Sequence, residues 1–196
     1  MTRSIVFSRD GVILNACCLR NIYASGCMVA ILGALPIPTM IVRIAYQEQP
    51  LQIFRENKEG EGLVVEHIDL QPLLNAGLLV VASLTTEVEE AKMVDLSVSL
   101  EDDEATTATL ALLRGRAIGV DGPATTMLLR QNLPDVQIVS TPILMQYWVE
   151  RSRPPSRALR AALQNIHQGT GYAPPVHHPL YPWWQEVLET TKDEPM

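Results

Sequence analysis

Three polar side chains stand where a β-sheet could bring them to one edge. Asn15 directly follows an apolar run at 11–14, and Asp121 follows another at 117–120. Ligands of an open parallel sheet gather at the carboxyl ends of its strands, so residues directly after strands are the first candidates for a site. Glu104 lies near the start of a predicted helix about 16 Å long, which runs antiparallel to the strand that follows it and ends before Asp121. Glu104 is therefore expected level with Asp121.

The chemistry open to these groups is coordination of a hard divalent cation. Carboxylate and amide oxygens suit Mg²⁺ and Mn²⁺, which keep several waters that a phosphate can displace. Such an ion can activate water and stabilise the transition state of phosphodiester cleavage. The alternative for Glu104 is structural, because acidic residues at helix N-termini commonly cap the helix and oppose its macrodipole. Spacing alone leaves both interpretations open.

The elements that must position these residues alternate between strand and helix. Short apolar runs of strand length occur at 12–15, 78–84, 117–120 and 136–139. The alternation predicts an α/β fold: a three-layer sandwich with a central parallel sheet flanked by helices.

Three local patterns predict further elements. Residues 39–54 have mostly helical apolar spacing, which predicts a helix interrupted at Pro50. The segment 57–62 reads as a surface loop. Thr86 followed by Glu89 resembles a capping box and predicts the start of the next helix.

Composition fits one packed globular unit rather than a disordered chain, since 47% of the 196 residues are apolar and 19% are charged. The three cysteines lack zinc-site spacing. No apolar window approaches a membrane span, so we expect a cytoplasmic protein that does not contact membranes. The net charge of −7 argues against avid non-specific binding to nucleic acid.

Positive charge is nevertheless concentrated in one zone. Residues 114–160 hold seven arginines against three acidic residues. The candidates for RNA binding are Arg151, Arg153, Arg157 and Arg160. As a solvated helix face these arginines need no function, and that alternative stays open.

The character of the chain changes after residue 150. We divide it into an α/β domain at 1–150 and a C-terminal extension at 151–196, with a helix, a proline-rich segment and a short helix. The extension is expected to wrap its own domain or to dock on a second chain, so a homodimer is possible. Trp183 and Trp184 are interpreted as anchors in an apolar groove. The histidine pair 177–178 is interpreted as a surface feature.

Three motifs in order resemble those of PIN-domain proteins, a family of metal-dependent ribonucleases that includes many bacterial toxin nucleases. The motifs are NACCLRNIYASG at 15–26, DDEATTATLA at 102–111 and IGVDG at 118–122. The resemblance covers roughly 10–150 and implies a PIN-like fold. It further implies an Mg²⁺ or Mn²⁺ cofactor and cleavage of single-stranded RNA by metal-activated water. Toxin nucleases of this family work with an antitoxin, so a protein partner is possible here.

Carried over by position, the resemblance implies a set of catalytic residues. These are Asn15, Glu48, Glu104 and Asp121, of which Asn15, Glu104 and Asp121 would bind the metal together with Asp103. The register also allows Gln47 in place of Glu48, and Gly122 stands where the family often has a second aspartate. At Asn15 a neutral amide replaces a carboxylate and offers one oxygen instead of two. The sequence therefore supports either a metal-dependent endoribonuclease or a catalytically inactive PIN-like module that binds RNA or a protein.

Overall fold

The computed structural model describes residues 7, 9–47, 51–57 and 62–189. The strands are β1 (Val12–Leu14), β2 (Thr39–Val42), β3 (Gln52–Glu56), β4 (Leu63–His67), β5 (Val80–Ala82), β6 (Ala117–Gly119) and β7 (Ile138–Val139). The first helices are α1 (Ala16–Ala24), α2 (Met28–Ala34), α3 (Arg43–Gln47), α4 (Gln71–Asn75) and α5 (Glu87–Ser97). The later helices are α6 (Asp102–Leu113), α7 (Pro123–Asn132), α8 (Thr141–Ser152), α9 (Ser156–Thr170) and α10 (Tyr181–Glu189).

A five-stranded parallel sheet forms the centre of the fold. Its strand order is β5-β2-β1-β6-β7, and helices flank it. The middle strand β1 is fully buried and places Leu14 opposite Ile41 on one side and Gly119 on the other. This architecture confirms the predicted α/β class with a central parallel sheet and is consistent with a three-layer sandwich.

The helix predicted over 39–54 is wrong. Its first part is β2, which pairs with β1 and β5, its middle is the short α3, and its last part is β3. The apolar spacing was ambiguous in so short a run, and pairing within the sheet overrode helix propensity. β3 pairs with β4 in a separate antiparallel hairpin that places Phe54 opposite Val65. The predicted loop at 57–62 joins these two strands, and its residues 58–61 lie outside the described part of the chain.

The start of α5 agrees with its capping signal. The Thr86 hydroxyl accepts a hydrogen bond from the Glu89 backbone N–H at 3.2 Å. In a complete capping box the Glu89 carboxylate would accept from the backbone N–H of Thr86. Here it accepts from the backbone N–H of Thr85 at 2.7 Å instead. It also pairs with Arg114 just after α6, with 2.7 Å between the Glu89 Oε1 and Arg114 Nε atoms. This ion pair ties the two consecutive helices together.

The described C-terminal helices pack on the α/β domain. α9 lies against α1 and β3, and α10 lies against α9. Trp184 is fully buried and meets Tyr172 edge to face, with 6.1 Å between the ring centroids. The anchoring role predicted for the tryptophans therefore holds for Trp184, whereas Trp183 is only partly buried.

Among the described residues, no single helix is long and apolar enough to cross a membrane. α1 and α2 reach that length only when taken together, and the chain bends by 116° between them.

Candidate functional site

The carboxyl edge of the two central strands carries Asn15 and Asp121, as their sequence positions predict. Asn15 directly follows β1, and its backbone N–H donates to the Gly119 carbonyl at 2.9 Å. Asp121 lies two residues beyond the end of β6. The two side chains are 4% and 8% exposed, so both polar groups need partners within the protein.

Asn15 serves as the N-cap of α1. Its side-chain oxygen accepts a hydrogen bond from the Cys18 backbone N–H at 2.8 Å, and its backbone is extended, as an N-cap requires. An asparagine side chain has only one oxygen. The one atom that could act as a metal ligand therefore also caps the start of α1.

Asp121 is held by buried neutral donors. Its Oδ1 accepts from the Thr141 backbone N–H at 2.7 Å, and its Oδ2 accepts from the Thr141 hydroxyl at 2.5 Å. The Oδ2 atom also accepts from the side-chain amide of Asn21 at 2.8 Å. Hydrogen bonds to a buried carboxylate offset the cost of removing its charge from water. Asp121 thus fastens β6 to α1 and to the first turn of α8.

Glu104 reaches a different partner at the same edge. Its Oε1 accepts from the Thr125 hydroxyl at 2.8 Å, in the first helical turn after Asp121. Burial raises the pKa of Glu104, and the pKa of the neighbouring Asp103 is raised for the same reason. Burial also raises the pKa of the Cys17 thiol, and the charges of Asp121 and Glu104 add to the effect. Cys17 therefore lies within electrostatic reach of both carboxylates.

The described arginines predicted to bind RNA lie away from this edge. Glu48 falls outside the described residues. Arg151, Arg153 and Arg157 are exposed, whereas Arg160 is partly buried and donates to the Val187 carbonyl at 3.2 Å. α8 begins at Thr141 beside Asp121, and Arg151 follows ten residues later, about 15 Å along the helix axis. The arginines are therefore separated from the acidic edge by the length of α8.

The described residues do not fit the Mg²⁺ or Mn²⁺ ion that the PIN-like motifs imply. Within the described ranges, no three His, Cys, Asp or Glu side chains are grouped as metal ligands. The Asn15 oxygen caps α1, and each oxygen of Asp121 accepts at least one hydrogen bond from a protein donor. Beside Asp121, the Asn21 side-chain oxygen is buried without a hydrogen-bond partner, but one neutral oxygen supplies no charge to hold a divalent cation.

A cleft of about 670 Å³ opens next to Asp121 and was not predicted from the sequence. It lies between α7, β7, the start of α8 and the loop at 172–179. Several of its polar lining residues are Asp121, Arg130, Ser140, Tyr172, His177 and His178. The signal in the sequence was the combination of an aromatic residue and two histidines in a proline-rich loop that returns to the sheet.

His178 is fixed in a defined tautomer at the wall of this cleft. Its Nδ1 atom accepts from the Leu180 backbone N–H at 3.1 Å, which places the proton on Nε2. The Nε2–H group then donates to the Ser140 hydroxyl at 2.9 Å. Burial lowers the pKa of His178, the charge of Asp121 opposes this effect, and the smaller influences of His177 and Arg130 act in the same direction as burial. His177 is exposed and His178 is half-buried, and both lie in the loop at 172–179.

Tyr172 connects the cleft to Asp121. Burial raises the pKa of its hydroxyl far above the ordinary value, and the nearby Asp121 carboxylate raises it further. The phenol therefore stays protonated. Its ring packs against the buried Trp184, so the C-terminal helix supports this wall of the cleft.

No family model, curated protein or solved structure matches this chain. The PIN-like interpretation therefore rests on the motifs at 15–26, 102–111 and 118–122. The function must be argued from the bonding of the residues at the sheet edge.

Proposed function

We propose that this chain is a PIN-like module that binds single-stranded RNA without cleaving it. The observation that carries the proposal is the bonding of Asp121, whose carboxylate is occupied by hydrogen bonds from Asn21 and Thr141. With the neutral Asn15 engaged as a helix cap, the sheet edge offers a divalent cation little free charge. The PIN-like relationship and RNA binding are both parts of the proposal.

The ribonuclease alternative requires a different arrangement of the same residues. Metal-activated hydrolysis needs an ion held by several carboxylates that leave room for a water. Here Asp121 would have to release its buried donors, and Glu104 would have to leave Thr125. Each released donor would lose its partner inside the protein, which costs about 1–3 kcal/mol. The geometry therefore favours binding over catalysis.

The arginine surface supports RNA as the bound partner. Arg151, Arg153 and Arg157 are exposed around the end of α8 and the start of α9. The Arg151 guanidinium lies over the Tyr147 ring at 5.2 Å and donates to its hydroxyl, so this side chain is oriented. Arginine binds phosphate oxygens through paired donors, and this surface is locally basic on an acidic chain.

Metal titration tests whether the sheet edge can bind the ion that catalysis would need. Isothermal titration of the wild type with Mn²⁺ is expected to give no binding in the millimolar range, whereas Asn15→Asp restores some binding because it adds a carboxylate at the edge. Asn75→Asp is the matched control, since it adds the same charge at an exposed position on α4. Turnover of RNA by the wild type with Mn²⁺ would refute the proposal if it stopped on addition of EDTA.

Fluorescence anisotropy with a labelled single-stranded RNA tests the binding. The double variant Arg153→Ala/Arg157→Ala should weaken binding about tenfold and reduce its salt dependence, because phosphate contacts are lost. Lys92→Ala on α5 removes a positive charge from another surface and should leave binding unchanged. Absence of binding by the wild type at low salt would leave no role for RNA, and a protein partner would then have to be sought.

A further inference from the structure

The cleft beside Asp121 has mostly apolar walls. Its apolar lining comes from Met127 on α7, Ile138 on β7 and Ile143 on α8, and from Tyr172 and Pro175 in the loop at 172–179. Its volume of about 670 Å³ lies within the range of small-molecule sites, roughly 300–1,000 Å³. The cleft is therefore large enough to enclose a ring system.

The lining of the cleft contains a cationic side chain, Arg130. Arg130 is exposed, and no ion pair involves it in the part of the chain that the structure describes. Arg130 and His177 both lie close enough to His178 to lower its pKa, so the three side chains converge on one region. Asp121 is the acidic residue of the lining, and its oxygens are occupied by Asn21 and Thr141. Asp121 keeps its negative charge, and Arg130 is the lining side chain that offers charged donors to an anion.

This combination selects a ligand with a flat ring and one anionic group. Tyrosine and proline faces with aliphatic side chains pack well against a planar heterocycle. A guanidinium at the rim suits a phosphate, which it can bind through two parallel hydrogen bonds. We propose that this cleft binds a nucleoside monophosphate group, with its base between Tyr172 and the aliphatic wall and its phosphate at Arg130.

Two sources of the nucleotide fit this site, which goes beyond the proposed function. A free nucleoside monophosphate and one nucleotide of an RNA chain share the same chemistry. The cleft lies at the first turn of α8, whereas the exposed arginines proposed to contact RNA lie around its other end. Loss of one site therefore does not require loss of the other.

Calorimetry on the full chain tests the ligand class. The wild type is titrated with AMP, GMP, CMP and UMP, with the matching nucleosides, and with inorganic phosphate. We expect at least one nucleotide to bind, and its nucleoside and inorganic phosphate each to bind about tenfold more weakly or worse, because each lacks one set of contacts. Equal binding of inorganic phosphate, or no heat with any nucleotide at millimolar concentrations, would overturn the proposal.

Two variants assign the binding to this cleft. Arg130→Gln should weaken nucleotide binding about tenfold or more, since the charge-assisted contact to phosphate is lost. Arg43→Gln is the matched control, because it removes an exposed arginine on α3, outside both the cleft and the arginine surface, and should leave nucleotide binding unchanged. Unchanged affinity in Arg130→Gln, or an equal loss in both variants, would refute the site. Circular dichroism confirms that each variant is folded.

Competition then identifies the source of the nucleotide. If a single-stranded RNA oligomer displaces the bound nucleotide, the cleft accepts one residue of an RNA chain. If it does not, the cleft takes free nucleotides, and RNA binding depends on the arginine surface alone. RNA binding that fails while nucleotide binding persists would sink the proposed function and leave the cleft assignment standing.

Discussion

The Asn21 side-chain amide donates a 2.8 Å hydrogen bond to the Asp121 carboxylate across 100 residues of sequence. Both side chains are buried, and the bond joins the middle of α1 to the end of β6. Asp121 stands where the PIN-like motifs imply a metal ligand. In this arrangement the same carboxylate holds the sheet edge together, which makes its stabilising role directly measurable.

Asp121→Asn is expected to destabilise the protein. The new amide group directs N–H donors toward the Thr141 and Asn21 donors, so buried groups lose their acceptor. We expect the free energy of unfolding to fall by about 2–4 kcal/mol, measured by urea denaturation. Asp95→Asn, at a side chain 73% exposed, should change it by less than about 0.5 kcal/mol. Equal stability of the two variants would show that Asp121 has no structural role.

The Glu89–Arg114 pair predicts a pH dependence of stability. Hydrogen bonds from Arg114 hold the pKa of Glu89 at about 2 against an ordinary 4.5. Because the folded pKa is the lower one, this stabilisation is present above pH 4.5 and is lost as pH falls toward 2. The free energy of unfolding of the wild type should exceed that of Glu89→Gln by about 2 kcal/mol near neutral pH, as measured by urea denaturation. This difference should shrink as the pH is lowered.

The matched control for that measurement is Glu90→Gln. Glu90 is an exposed neighbour on α5. Its substitution should leave both the stability and its pH profile close to those of the wild type. A gap between wild type and Glu89→Gln that stays constant down to pH 2 would contradict the lowered pKa of Glu89.

His178 should titrate below the ordinary histidine pKa. Burial favours its neutral form, with smaller contributions from His177 and Arg130, and outweighs the opposing charge of Asp121, so the unfolded chain binds the proton more readily. Stability contributed by this neutral histidine is present above about pH 6.5 and declines as pH falls through that value. Titration of its Cε1 proton by NMR should show a pKa that rises in Arg130→Gln but not in Arg153→Gln. An unchanged His178 pKa in Arg130→Gln would show that the Arg130 charge does not act on His178.

Gly119 is required by the close packing of the sheet. A Cβ atom at this position would overlap Leu14 Cδ2 and contact the Cys18 Sγ atom at 3.5 Å, and Leu14 is fully buried. Gly119→Ala should therefore destabilise by about 1–3 kcal/mol in thermal or urea unfolding. Gly33→Ala on α2 meets no atom within 4 Å and should be neutral or stabilising by about 0.5–1 kcal/mol. The opposite order of stabilities would refute this packing argument.

The sequence was sufficient where local signals and burial agree. Thr86 opens α5, and the apolar run at 117–120 contains β6, because cap chemistry and a short buried strand are encoded by neighbouring residues. The prediction failed at 39–54 and gave no sign of β4. Those segments are short, and pairing with other strands sets their conformation. β2 pairs with β1, which lies more than 20 residues earlier, and β3 pairs with β4 across a loop.

The sequence alone predicted that Asn15 and Asp121 lie at one sheet edge, because each follows an apolar run at 11–14 or 117–120, and these runs contain β1 and β6 of one parallel sheet. Only the tertiary structure decided what those side chains do. The partners of Asp121 come from α1 and α8, and the loop at 172–179 adds His178 to the neighbouring cleft. Such contacts depend on how helices far apart in the chain pack on the sheet. Local sequence spacing does not specify them.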